Sequence, residues 1–174
     1  MNLQNKDSWY VLFVKTNQEE KAKKIIEKEL GNEFKAIVPT RELKERKEGK
    51  WRNIKRKLFP GYVLLKGIVD IDTYYKIKEI PSIIKLLRDE EEILTVDERE
   101  LEVLKILIDN EENNIGISTL YKENDEVKIT SGPLVGLEGQ IVKVDARKGR
   151  AKVRLRFMNE ERIVELGIEL VDKL

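Results

Sequence analysis

The spacing of apolar residues changes once along this chain, and that change limits the fold more than any other feature. From Leu120 onward apolar side chains recur at every second position: Val127 and Ile129, Val142 and Val144, then Val153, Leu155 and Phe157, then Val164 and Leu166. Period two belongs to strands with one wet and one buried face. Turn signals at Ser131-Gly132-Pro133, Gly136, Gly139, Gly149 and Gly167 separate the runs. Five short strands so spaced predict a small closed β-barrel.

Before residue 109 the pattern is mixed. Trp9 to Val14 is a continuous apolar and aromatic run, which reads as a strand covered on both faces. Thr16 with Glu19 has capping-box spacing, and Ala22, Ile25, Ile26 and Leu30 follow at helical spacing up to Gly31. Phe34–Val38, Tyr62–Leu65 and Ile83–Leu87 read as further strands, with a short helix from Ile71 to Lys78 that closes before Pro81. A second capping box, Thr95 with Glu98, opens a helix whose face is Leu101, Leu104 and Ile108. The order β-α-β-β-α-β is the split βαβ plan of a ferredoxin-like sandwich. The polar stretch 109–119 has little to bury and reads as a flexible linker between domains at 1–108 and 120–174. The fold class is therefore α+β, a ferredoxin-like α/β sandwich followed by a β-barrel.

Composition excludes several kinds of function. The chain has neither cysteine nor histidine, so thiolate metal sites, disulfides and the usual general base near neutral pH are absent. No metal or cofactor is expected. Asp89-Glu90-Glu91-Glu92 offers oxygen ligands, but adjacent carboxylates on a turn do not converge and no base or nucleophile accompanies them. They read as a solvated acidic loop, and the chain as a non-enzyme. No apolar run reaches membrane-spanning length, and the polar N-terminus lacks a signal-peptide core, which predicts a cytoplasmic protein without a membrane partner.

Charge is abundant but balanced, at a net +1, so attraction to nucleic acid depends on local patches. Two stand out. Residues 41–57 carry nine basic side chains against three glutamates and read as a hairpin with its tip at Glu48-Gly49-Lys50. Residues 143–156 carry seven basic side chains against Asp145 alone. With Val153, Leu155 and Phe157 inward, Arg150, Lys152, Arg154 and Arg156 form one outward row, alternate side chains about 6.6 Å apart. Guanidinium groups at that spacing suit phosphates and guanine edges. The row lacks exposed aromatics for stacking, which favours a structured RNA hairpin over unpaired RNA.

Leu58-Phe59-Pro60-Gly61-Tyr62 at the head of a strand completes the pattern. With Ser8-Trp9-Tyr10 and the segment around Gly132 and Gly139, it resembles the NusG family of transcription elongation factors over nearly the whole chain. The resemblance implies an N-terminal (NGN-type) domain that binds the clamp helices of RNA polymerase and suppresses pausing, and a C-terminal KOW domain with an SH3-like barrel. It implies a clamp-binding depression from Phe13, Phe59, Pro60, Tyr62 and Leu64, although Phe13 and Leu64 read equally as core. Thr73 and Tyr74, followed by Tyr75, occupy the place that faces the polymerase gate loop, where other members are richer in Ser and Thr. The basic hairpin lies where the family meets upstream or non-template DNA. Lys50, Arg52 and Lys55 would contact phosphates there and Trp51 an unpaired base. The same charges also suit a solvated hairpin that protects a sheet edge.

Housekeeping members use the KOW domain to hold the termination factor Rho or a ribosomal protein through an apolar surface. The matching loop here is Phe157-Met158-Asn159, with Phe157 inward and only Met158 available. The chain therefore looks like a specialised bacterial paralogue, most like the LoaP-type antiterminators, with Arg147, Lys148, Arg150, Lys152, Arg154 and Arg156 on an RNA hairpin. It is expected to act as a monomer. The rival expectation is a housekeeping factor that couples polymerase to Rho or the ribosome.

Overall fold

The computed structural model describes residues 6–88, 90, 92–108 and 110–172. In chain order the elements are β1 (Trp9–Val14), α1 (Glu19–Leu30), β2 (Lys35–Ile37), β3 (Thr40–Lys47), β4 (Lys50–Lys57), β5 (Tyr62–Lys66), α2 (Ile71–Lys78), β6 (Ile83–Leu86), α3 (Glu98–Leu107), β7 (Asn114–Ile115), β8 (Ser118–Glu123), β9 (Glu126–Ser131), a 3-10 turn (Glu138–Gln140), β10 (Ile141–Asp145), β11 (Arg150–Phe157) and β12 (Glu160–Leu170). The fold is α+β. Its contacts divide into two compact units, residues 1–38 with 59–96, and 39–58 with 97–174. No helix among the described residues is long and apolar enough to cross a membrane.

The first unit holds a four-stranded antiparallel sheet in the order β2-β5-β1-β6, the ferredoxin-like arrangement. Strand β1 is central, which explains its unbroken apolar run. Tyr10, Leu12 and Val14 face the helices, and Val63, Leu65, Ala22, Ile26 and Ile77 join them in the core. On the alternate face Trp9, Val11 and Leu64 are buried as well. Helix α1 starts without the expected capping box. Gln18 is its N-cap and makes no side-chain cap bond. Glu19 is fully buried instead, and its carboxylate accepts the Gly61 backbone N–H at 2.8 Å.

The second unit contains two sheets. One is β4-β3-β7, the other β10-β11-β12-β8-β9. The predicted hairpin forms in register, with Lys47 opposite Lys50 and a tip at Glu48 and Gly49, both at positive φ. In the five-stranded sheet β11 alternates as expected, with Ala151, Val153, Leu155 and Phe157 buried. Val142 departs from the expected inward pattern and is 49% exposed, because the β10–β11 register shifts between Ile141 and Lys143. The expected barrel closure is not made by a ladder among the described residues: β9 and β10 are the sheet's two edges, joined in sequence through the 3-10 turn. Helix α3 is capped by Asp97, which accepts the Arg99 N–H at 2.9 Å, rather than by Thr95.

The expected boundaries do not coincide with this partition. The hairpin and α3 gather with the C-terminal sheet. The expected flexible linker 109–119 is tied down where it is described. Asn114 and Ile115 are buried and pair in parallel with Thr40 and Arg41. The Thr40 hydroxyl donates to Asn114 Oδ1 at 2.8 Å, and the Asn110 side chain accepts the Asn114 N–H at 3.0 Å. Ser118 is buried and its hydroxyl accepts the Leu134 N–H at 3.0 Å. Polar side chains here fasten backbone, a use that composition alone does not distinguish from solvation.

Candidate polymerase-binding corner and nucleic-acid interface

Two groups of predicted residues fall in different units. In the first unit, Phe13 on β1 is paired in register with Tyr62 on β5. Their rings meet edge to face, 5.4 Å between centroids and inclined at 63°. Gly61 has φ +85°, a conformation that favours glycine, and a Cβ there would stand in ordinary contact with the Phe13 ring at 3.5 Å. The corner is pinned from both sides: Val14 N–H donates to the Gly61 carbonyl at 2.8 Å, and Glu19 holds the Gly61 N–H. Pro60 is exposed, Phe13 and Tyr62 are half-buried, and Phe59 and Leu64 are buried. The five residues thus split into an accessible group of Phe13, Pro60 and Tyr62 and a supporting pair in the core. Glu19 carried no sequence signal beyond helix capping.

On α2, Asp70 caps the helix by accepting the Thr73 N–H at 2.8 Å, and that bond draws its carboxyl below the ordinary carboxylate value. Thr73 and Tyr74 are half-buried. Tyr74 packs on the core, with the Lys78 ammonium 5.8 Å and the Arg88 guanidinium 6.0 Å from its ring. Tyr75 is 58% exposed and stands edge to face against Tyr74. Ile71, four residues before it, is 75% exposed. Of the acidic loop, Asp89 and Glu91 lie outside the described residues, while Glu90 and Glu92 are exposed.

In the second unit the hairpin does not present its four predicted DNA contacts on one face. Strand alternation puts Lys50 and Arg52 with Lys47 on one side and Trp51 and Lys55 with Arg46 on the other. Trp51 is 55% exposed. Lys55 is already paired with Glu112, which raises the ammonium and lowers the carboxyl relative to their ordinary values.

The β11 row does face outward, but three of its four members hold carboxylates. Arg150 is the most constrained: it pairs with Glu165 at 2.8 Å and with Glu45 of β3 at 3.6 Å, and only 22% of its side chain is exposed. The hydrogen bond from Arg150 draws the Glu165 carboxyl below its ordinary value. Arg154 pairs with Glu161 at 3.0 Å, and Arg156 reaches Glu100 at 3.8 Å. The exposed Arg154–Glu161 pair contributes about 0.2–1 kcal/mol, less than a charge-assisted hydrogen bond at roughly 1.5–3 kcal/mol, whereas Glu100 is buried. Arg154 thus remains exchangeable for phosphate, Arg156 is itself exposed beside the buried Glu100, and Arg150 is anchored. Lys152 is exposed and makes no ion pair with a described carboxylate, as are Lys143 opposite it and Arg147 and Lys148 in the preceding turn. Lys143 adds to the predicted set.

The Phe157-Met158-Asn159 loop is not a bare apolar contact. Phe157 is inward as expected. Met158 and Asn159 have positive φ, and their N–H groups both donate to the Glu100 carboxylate at 2.9 Å. Ile163, opposite Arg154, is 49% exposed and is an apolar surface residue that sequence reasoning missed.

Comparison with known families matches residues 7–105 to the model described as transcription termination factor NusG and residues 123–154 to the KOW motif. The chain belongs to the NusG family. The transcription termination/antitermination protein NusG of Haemophilus influenzae is 27% identical over 177 residues, spanning 98% of this chain and 96% of the relative. That of Bacillus subtilis is 27% identical over 178 residues, spanning 96% and 98%. A solved structure described as "Domain interaction in Thermotoga maritima NusG" is similar at 25% identity with a TM-score of 0.58, covering 92% of this chain and 93% of that one. This NusG-family chain therefore combines an NGN-type α/β sheet with a KOW segment inside the five-stranded sheet.

Proposed function

We propose that this NusG-family protein is a specialised bacterial antiterminator that binds RNA polymerase through its first sheet, suppresses pausing and termination, and binds an RNA hairpin through its KOW sheet. Residues 1–108 would supply the polymerase contacts, and 120–174 the RNA contacts. The polymerase arm rests on Phe13, Pro60 and Tyr62, a rigid accessible aromatic corner held by Glu19 and Gly61. Thr73 and Tyr74, with the exposed Ile71 and Tyr75, would face the gate loop.

The RNA arm rests on one observation above the others. In a chain of net charge +1, the side chains of Arg147, Lys148 and Lys152 stand exposed on one strand and its turn and make no salt bridge with a described carboxylate. Arg154, with an exposed and exchangeable pair, and Arg156, itself 70% exposed, extend that line. The Met158–Asn159 loop, with its donors on Glu100, supports an RNA role over an apolar protein contact. The protein would work as a cytoplasmic monomer without cofactor or catalysis.

The test is transcription in vitro with purified polymerase on templates with and without an RNA stem-loop leader. The expected result is readthrough that requires the stem-loop, lost on Phe13→Ala with Tyr62→Ala and on Arg147→Ala with Lys148→Ala and Lys152→Ala. Equal stimulation on both templates, indifferent to the cationic variant, would favour a general elongation factor.

A further inference from the structure

The hairpin that precedes β5 and the strands that carry the outward cations are fastened to each other within the second unit. Gly167 on β12 sits where any Cβ would overlap the Glu42 carbonyl oxygen of β3, so the two strands approach as closely as backbones can. The Arg41 guanidinium donates to the Glu165 carbonyl at 2.6 Å. Arg150 bridges Glu165 of β12 and Glu45 of β3. Lys44 reaches Glu169 at 3.5 Å.

The Arg150–Glu45 bridge marks one side of the hairpin, opposite the side of Lys44 and Trp51. Arg150 and Glu165 belong to the outward face of the β11–β12 pair, and Glu45 reaches them from the hairpin side it shares with Lys47, Lys50 and Arg52. Lys47 stands about 6.6 Å beyond Glu45 along the strand. None of Lys47, Lys50 and Arg52 makes an ion pair with a described carboxylate. Arg147 and Lys148 in the turn before Arg150, and Lys152 two residues after it, are exposed and make no salt bridge with a described carboxylate. Arg150, Glu165 and Glu45 neutralise one another, and the two trios on the neighbouring turn and strands make no salt bridge with a described carboxylate.

We infer that the two trios form one RNA-binding face, with the hairpin acting as a second arm on the phosphates of the same folded RNA. This rests on the RNA-binding reading of the KOW sheet and names a further contributor to it. Two chemical points favour folded RNA over single-stranded DNA as the hairpin's ligand. The shared side offers cations without an aromatic ring. Trp51, the one residue of the hairpin that stacks well on an unpaired base, lies on the opposite side. A duplex stem presents two phosphate ridges, which two separated cation groups match.

The test measures fluorescence anisotropy of the full chain with a stem-loop library, with a single-stranded DNA and with a duplex DNA, over a salt series. One variant carries Lys47→Ala, Lys50→Ala and Arg52→Ala. A second carries Arg147→Ala, Lys148→Ala and Lys152→Ala, and a third Trp51→Ala with Lys55→Ala. All six trio positions are exposed, so the folds should persist, and circular dichroism verifies that. The expected result is that each of the first two variants loses about tenfold or more in stem-loop affinity near physiological salt. The slope of log affinity against log salt should also shrink by roughly two to three in each. The third variant should stay within about twofold of the parent, since a lone contact to one phosphate carries little of a multi-site interaction. If the hairpin variant binds the stem-loop like the parent while the turn variant does not, the second arm is wrong and the RNA reading stands. If the hairpin variant loses only DNA affinity, the hairpin serves DNA and the inference is overturned. If the parent binds no stem-loop above its DNA affinity, the RNA reading itself falls.

Discussion

At the scale of single residues, the most informative side chain is Glu19. Its spacing from Thr16 suggests a capping box, yet it crosses to a corner 42 residues away and holds the Gly61 N–H in a dry environment. Local spacing cannot reveal this, because the partner is fixed by sheet topology. Gly61 was legible as a turn residue, and its positive φ gives the physical reason. Glu19→Ala should leave a buried N–H without its acceptor and lower stability by about 1–3 kcal/mol in urea unfolding, with Glu19→Gln milder because an amide oxygen still accepts. Equal stability of Glu19→Ala and the parent would mean that water replaces the carboxylate there. The cation row teaches the converse lesson. Alternation placed Arg150, Lys152, Arg154 and Arg156 on the outside, but only the fold shows which carboxylates meet them. Glu45 comes from a distant segment and joins Glu165 on Arg150, so Arg150 is an anchor where the sequence offered a contact.

At the scale of elements, strands were easier to read than their neighbours. Central β1 and alternating β11 announce themselves because burial on two faces or one dictates composition. The segment 109–119 did not, because Asn110, Asn114 and Ser118 fasten backbone with the residue types that also make solvated linkers. Helix α3 was placed correctly but its cap was shifted: Asp97 is the N-cap, and Asp97→Ala should cost about 1 kcal/mol, where Thr95→Ala costs less. Thermal unfolding of the two variants separates these. The β3–β12 clamp yields a pH prediction. Arg150 draws the Glu165 carboxyl below its ordinary value of 4.5, so the ionised side chain favours the folded state above that pH. That contribution fades as pH falls through the depressed folded value. The stability difference between the parent and Glu165→Gln should therefore be fully present near neutrality and close as pH falls below the ordinary carboxylate value, through the depressed folded one. A difference independent of pH would assign the effect of the substitution to packing instead of charge.

At the scale of the molecule, sequence order and cooperative structure diverge. The family resemblance divides the chain near residue 108, while the contacts gather residues 39–58 and 97–108 with the C-terminal sheet. The reason lies in where the fastenings are. Thr40 bonds Asn113 and Asn114, Arg41 bonds Glu165, and Leu43 is 2% exposed within that unit. Glu100 likewise closes the Met158–Asn159 turn from α3. A sequence reader sees a hairpin flanked by strands of the first sheet and assigns it there, since contacts made by a few long polar side chains leave no periodic trace. Cooperative opening follows contacts. In native-state hydrogen exchange under mild denaturant, the amides of Leu43 and Ile54 should open with those of Val153 and Leu166, at one free energy and one denaturant slope. The amides of Val11 and Leu64 should form a separate group. Gly167→Ala sharpens the test, because the added methyl forces Glu42 away from β12. In that variant the hairpin amides should leave the C-terminal group and exchange early, while Val11 and Leu64 keep their protection. Hairpin amides that instead follow Val11 and Leu64 in both proteins would show that the hairpin's stability comes from the first sheet, and that its links to β12 are passengers on that stability.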